Sequence, residues 1–122
     1  ARRAIVLPVS VPSHSSLMRD AGVSLAETLD STEFSTPSIT VINAATAAPY
    51  VDAADIRTRL SAQVYSPVLW VRTVEAMLDA GASTFIECGP GKVLAGLVRR
   101  IAKGTTVGFI DNPDGLQKAL QG

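Results

Sequence analysis

The chain has 122 residues, 47% of them hydrophobic, and its 11 Lys and Arg balance 11 Asp and Glu. That is enough chain for one domain with one core, and it excludes a disordered segment or a strongly basic nucleic-acid binder. No apolar run approaches the length of a membrane span, and Ala1-Arg2-Arg3-Ala4-Ile5 lacks the apolar core and cleavage site of a signal peptide.

In chain order, Ala4-Ile5-Val6-Leu7 is apolar and β-branched and reads as a strand. Its abrupt start is what a piece cut from a larger protein would show. Leu17, Ala21, Leu25 and Leu29 recur at helical spacing, which predicts a helix over 13–29 with Ser13 as a candidate cap. A short strand is expected over 38–42, then an alanine-rich loop over 43–51 closed by Pro49. Asp52 and Asp55 favour a helix start, Ile56, Leu60 and Val64 define its face, and Pro67 ends it. A helix over 68–80 stops at Gly81, and a strand over 84–88 enters the turn Gly89-Pro90-Gly91. The next helix, 93–102, places Leu94, Leu97, Val98 and Ile101 inward; a strand over 107–110 follows. Asn112-Pro113 opens a last helix that runs to Leu120. Short β-rich runs alternating with helices imply an α/β fold with parallel strands between helical layers.

The only histidine, His14, stands where an extended segment becomes a helix, behind Pro8 and Pro12. Prolines stiffen such an approach, and an imidazole on a rigid loop suits a general base. On local sequence alone a surface or capping histidine is the slightly better fit. Asn43 ends a strand, where α/β folds present groups to ligands; a turn-forming Asn fits that position too. Gly89-Pro90-Gly91-Lys92 lies between a strand and a helix, but one residue separates its glycines and Val93 follows the lysine, so it is not a phosphate loop. Its helix-start amides remain candidates to hold an anion. Cys88 is the single cysteine, so no internal disulfide forms, which suits the cytoplasm. After Phe85-Ile86 it is expected to be a buried structural thiol. Arg2, Arg3, Arg99, Arg100 and Lys103 form basic clusters, which are solvated faces unless an acidic partner meets them.

Three blocks then stand out together: Pro8 to His14, Gln63-Val64-Tyr65-Ser66-Pro67-Val68-Leu69-Trp70, and Phe85 to Leu97. In this order and spacing they resemble the malonyl-CoA:acyl carrier protein transacylases, and the resemblance runs over essentially the whole chain. It implies the carboxy-terminal, histidine-bearing portion of an α/β-hydrolase-like large acyltransferase subdomain over 12–122. Residues 1–11 would end a ferredoxin-like small subdomain. By the same resemblance His14 is the base, and the main-chain carbonyl at Gln63 holds its ring. Ser13 and Asn43 fall at substrate-binding positions, and Arg2, Arg3, Arg99 and Arg100 at positions that dock the carrier.

The nucleophilic serine of that family lies in a Gly-x-Ser-x-Gly elbow, which this chain lacks. Gly22-Val23-Ser24-Leu25-Ala26 is a near miss inside a helical pattern, whereas an elbow needs a strand before it. The chain alone is therefore expected to be inactive, with the nucleophile-bearing amino-terminal half as its natural complement. The resemblance implies a cytoplasmic enzyme of fatty acid biosynthesis. It would take malonyl-CoA as substrate and acyl carrier protein as partner. No metal or cofactor is implied beyond the CoA thioester, and no nucleic acid or membrane partner. A polyketide-type acyltransferase domain, or a non-catalytic fragment serving as a carrier-binding scaffold, are the alternatives. The family's selectivity arginine is absent, so acyl preference is not legible.

Overall fold

The chain divides between Val68 and Leu69. In the computed structural model, which describes residues 4–6 and 9–121, residues 1–68 and 69–122 form two compact units. The subdomain boundary expected near residue 11 lies inside the first of them.

In the first unit, residues 4–6 are exposed and pair with nothing, so the expected strand is not formed among the described residues. Leu7 and Pro8 lie outside them. Extended residues become a strand only against a partner, and the unit offers none. A single 3₁₀ turn, Ser16–Met18, leads into α1, Arg19–Asp30. Ser13 does not cap it; the nearby hydroxyl that is engaged is Ser15 Oγ, which donates to the Pro12 carbonyl at 2.7 Å.

The buried face of α1 is set by Gly22 and Leu29, while Leu17 and Ala21 are exposed. The reason is α2, Ala53–Gln63, and the Tyr65 that follows it. A Cβ on Gly22 would lie 2.7 Å from two Tyr65 ring carbons and 3.0 Å from the Ser61 carbonyl oxygen. Only a glycine lets the chain approach that closely. Arg19 covers the same ring with its guanidinium 5.0 Å from the centroid. At the other end of α1, Arg57 of α2 donates to the Leu29 carbonyl at 3.0 Å and the Thr32 carbonyl at 2.8 Å. The Leu29 carbonyl also accepts from Thr32 N at 3.1 Å, and Arg57 adds a bond that ties the end of α1 to α2.

α2 starts as its sequence predicts. Asp52 accepts from Asp55 N at 2.8 Å, and Asp55 accepts in return from Val51 N at 3.1 Å. The expected strand over 38–42 shrinks to β1, Ile42–Asn43, which pairs antiparallel with β2, Ala48–Pro49. The alanine-rich segment is thus a tight hairpin. Its corner residue Ala47 has φ +54.

In the second unit, β3 (Thr84–Cys88) and β4 (Thr106–Ile110) run parallel, with Thr84 opposite Thr106 and Cys88 opposite Ile110. α3 (Trp70–Asp79), α4 (Val93–Ile101) and α5 (Pro113–Gln121) complete an α/β arrangement. The core holds Val74, Val98 and Ala102, with Trp70, Leu78, Phe85, Ile101 and Val107 packed on it. Asn112 opens α5 as expected, accepting from Gly115 N at 2.8 Å.

Two expectations are corrected in this unit. α4 buries Ala95 and Val98, leaving Leu94 42% and Leu97 37% exposed. Leu94 and Leu97 flank that buried strip, and Leu94, one turn before Val98, shares its side of the helix. Cys88 is exposed, because the alternation along β3 turns Phe85 and Glu87 towards cover and Ile86 and Cys88 away. No helix is long and apolar enough to cross a membrane among the described residues.

Candidate active site

α2 ends at Gln63, and the carbonyls of its last turn have no helical N–H ahead of them. His14 supplies two donors. Its main-chain N–H donates to the Val64 carbonyl at 2.9 Å, and its ring Nδ1 lies 3.0 Å from the Gln63 carbonyl oxygen. A carbonyl oxygen only accepts, so Nδ1 carries the hydrogen in this bond. In the neutral ring Nε2 then holds the lone pair. Nε2 has no hydrogen-bond partner among the described residues, and the side chain is exposed.

The backbone at His14 is unusual. Its φ is +62, a left-handed value that side-chain-bearing residues seldom adopt. Such a conformation costs on the order of 1–3 kcal/mol and persists where the surroundings impose it. The two bonds to the end of α2 are those surroundings. The result is an imidazole locked in one tautomer, with its lone pair directed to solvent.

Asn43 does not present itself to a ligand, and that expectation is corrected. The side chain is 1% exposed and its amide is fully engaged. Oδ1 accepts from Ala45 N and Thr46 N, each at 3.0 Å, and from Thr46 Oγ1 at 3.2 Å. Nδ2 donates to Tyr50 Oη at 2.7 Å and to Gln63 Oε1 at 2.8 Å. No donor or acceptor is left for a substrate. The turn-forming reading of Asn43 is the one realised, in buried form.

Of the remaining expected residues, Ser13 is exposed beside His14. Ser24 sits on the exposed side in the middle of α1, its carbonyl bonded by Thr28 Oγ1, as an ordinary helical residue. Arg99 and Arg100 are exposed on α4 of the second unit. Arg99 Nη2 already donates to the Val107 carbonyl at 3.0 Å, whereas Arg100 has no partner among the described residues. Arg2 and Arg3 lie outside the described residues.

The helix start after Gly89-Pro90-Gly91 holds an anion, but an internal one. Glu87 accepts from Leu94 N at 3.2 Å and Ala95 N at 2.7 Å. A carboxylate there satisfies two orphan amides and complements the helix dipole. Sequence reasoning missed Glu87 because its partners lie across a turn, not three residues on. A cleft of about 380 Å³ beside this turn is lined by Trp70, Met77, Phe85, Leu94 and Val98 among others; none of the expected site residues lines it.

The site as built is an exposed imidazole tied through Nδ1 to a main-chain carbonyl, on a chain with an α/β unit. No protein-family model matches the chain. The malonyl CoA-acyl carrier protein transacylase of Salmonella typhimurium is 43% identical over 120 residues, covering 98% of this chain and 39% of that protein. The crystal structure of an acyl-carrier-protein S-malonyltransferase from Burkholderia pseudomallei is 41% identical. It superposes with a TM-score of 0.91 over 98% of this chain and 39% of the other. A malonyl-transacylase solved in complex with its type II polyketide acyl carrier protein is 38% identical, with a TM-score of 0.89 over 94% of this chain and 37% of the other. The chain is a homologue of the malonyl CoA-acyl carrier protein transacylases, matched to a carboxy-terminal portion of them. It spans about two fifths of the length of these relatives.

Proposed function

We propose that this chain supplies the base-bearing portion of a cytoplasmic malonyl-CoA:acyl carrier protein transacylase of fatty acid biosynthesis. The single observation that carries the reading is the 3.0 Å contact between His14 Nδ1 and the Gln63 carbonyl oxygen. It fixes the tautomer in which Nε2 accepts a proton.

In the first half-reaction a serine hydroxyl attacks the thioester carbonyl of malonyl-CoA. Nε2 takes the hydroxyl proton as the C–O bond forms. The C–S bond then breaks, and the imidazolium returns the proton to the departing CoA thiolate. In the second half the carrier's phosphopantetheine thiol attacks the acyl-serine. His14 takes the thiol proton and gives it back to the serine oxygen. The Gln63 carbonyl, at the negative end of α2, faces the imidazolium that forms in each half. The serine would come from the amino-terminal portion of the enzyme, the first partner of this chain. The second is the acyl carrier protein, and Arg100, which has no partner among the described residues, suits its acidic surface. The CoA thioester is a substrate, and the sequence of steps uses no cofactor.

The test is malonyl transfer by a full-length transacylase that carries this segment. His14→Ala lowers turnover by roughly 10²–10⁴-fold, the usual worth of general acid–base help. Unchanged turnover would refute the reading. A second reading, transfer to a polyketide carrier, is favoured by the similarity to a transacylase bound to such a carrier. A higher kcat/KM with a polyketide carrier than with a fatty acid carrier would select it.

A further inference from the structure

The end of α2 is held in place by more than its own helix. Asn43 Oδ1 faces two main-chain N–H groups, those of Ala45 and Thr46, which can only donate. The orientation of the Asn43 amide is therefore settled, and Nδ2 must face the other way. It faces Gln63 Oε1 at 2.8 Å, which in turn orients the Gln63 amide. The same Nδ2 donates to Tyr50 Oη. The hairpin under this amide is itself braced. Arg59 donates to Thr46 Oγ1 and to the Pro49 carbonyl, each at 3.2 Å, and pairs with Asp55 at 2.6 Å. Asn43 is buried to 1% exposure, so each of its bonds is worth more than it would be in water.

From these contacts we infer that Asn43 is a positioning residue for His14, acting through the side chain of Gln63. The deduction rests on the reading of His14 as the base. Gln63 touches His14 through its main chain and Asn43 through its side chain. It is the last residue of α2, and besides the His14 ring its carbonyl accepts a 3.3 Å bond from Ser66 N, a weak hold on its direction. Pinning its side chain to a braced hairpin fixes the carbonyl, and the carbonyl fixes the ring. The Gln63 side chain therefore matters although no substitution there removes the acceptor oxygen.

That separation gives the experiment. A full-length transacylase carrying this segment is prepared as Gln63→Leu, Gln63→Glu, His14→Ala and the double variant His14→Ala with Gln63→Leu. Serine acylation by malonyl-CoA is followed in single turnover. Gln63→Leu keeps the carbonyl and loses the anchor; the rate should fall about tenfold, a part of the general-base contribution, with little change in KM. Gln63→Glu offers Asn43 Nδ2 an acceptor again and should restore most of the rate. In the His14→Ala background Gln63→Leu should cost nothing further, because the anchor acts only through the ring.

An equal loss in both backgrounds would make the Gln63 side chain merely structural and overturn the inference, as would full activity of Gln63→Leu beside a crippled His14→Ala. Full activity of His14→Ala would instead overturn the reading of the base. The variant Asn43→Asp keeps the bonds to Ala45 N and Thr46 N and allows the Gln63 amide to turn and donate. It should retain more activity than Asn43→Leu; the reverse order would also count against the inference.

Discussion

His14 and Gln63 are 49 residues apart in the chain and 3.0 Å apart at Nδ1 and the carbonyl oxygen. The contact joins a left-handed loop residue to the exposed end of a helix, and each satisfies the other. Helix ends bind donors readily, so one interaction both caps α2 and selects a tautomer. The consequences can be measured at several places in the fold.

A Cβ on Gly22 of α1 would meet the Tyr65 ring at 2.7 Å. Gly22→Val should lower the stability of the protein by about 1–3 kcal/mol, since a side chain must displace the ring or the helix. Valine brings little helix propensity in compensation. A lower melting temperature with retained secondary structure is the expected outcome; no change would show that the ring moves aside freely.

Glu87 caps α4 from a neighbouring strand. Glu87→Ala should cost about 0.5–2 kcal/mol, the usual range for a lost helix cap. Hydrogen exchange should speed first at Leu94 and Ala95, whose amides lose their acceptor. Unchanged protection at those two amides would argue that water replaces the carboxylate without loss.

Much of this was legible in the chain and some was not, for reasons visible at particular residues. Asp52 and Asn112 cap α2 and α5 as local rules predict, because a cap needs only the next three residues. The strands expected over 84–88 and 107–110 also follow from local pattern, the second forming as Thr106–Ile110. The face of α4 follows only in part: Val98 and Ile101 turn inward as expected, but Ala95 is the other buried residue while Leu94 and Leu97 stay partly exposed. Nor does the segment 38–51, whose hairpin depends on the side chain of Asn43 and on Arg59 from α2. An Asn followed three residues later by Thr is a turn signal that was available. The link from Asn43 to Gln63, 20 residues on, was not. The His14–Gln63 pair was legible only through the family resemblance, since no spacing rule joins a loop residue to a helix end 49 residues away.

Arg100 is exposed on α4 without a partner among the described residues, unlike Arg99. In the full-length enzyme Arg100→Glu should weaken use of the carrier protein more than use of a small pantetheine thiol. The difference should shrink as salt rises, because exposed charges are screened over about 10 Å at 0.1 M. Equal losses with both acceptors would place Arg100 in folding and not in docking.

On the proposed reading the 122-residue chain on its own should show no malonyl transfer, since it supplies the base and contains no Gly-x-Ser-x-Gly elbow. Mass spectrometry after incubation with malonyl-CoA should find no malonyl adduct on Ser24 or any other serine. A stoichiometric adduct on Ser24 would mean that α1 opens to expose a nucleophile, contrary to its place in mid-helix.

The most direct test of the account is the pH dependence of serine acylation in single turnover, compared for the full-length enzyme and its His14→Ala variant. With His14 as the base, the wild-type rate falls on the acid side as the imidazole takes a proton and can no longer accept one from the serine. In His14→Ala the rate should be lower by roughly 10²–10⁴-fold, and that acid limb should be gone. Equal rates with the same acid limb in both proteins would contradict the assignment of His14 as the base.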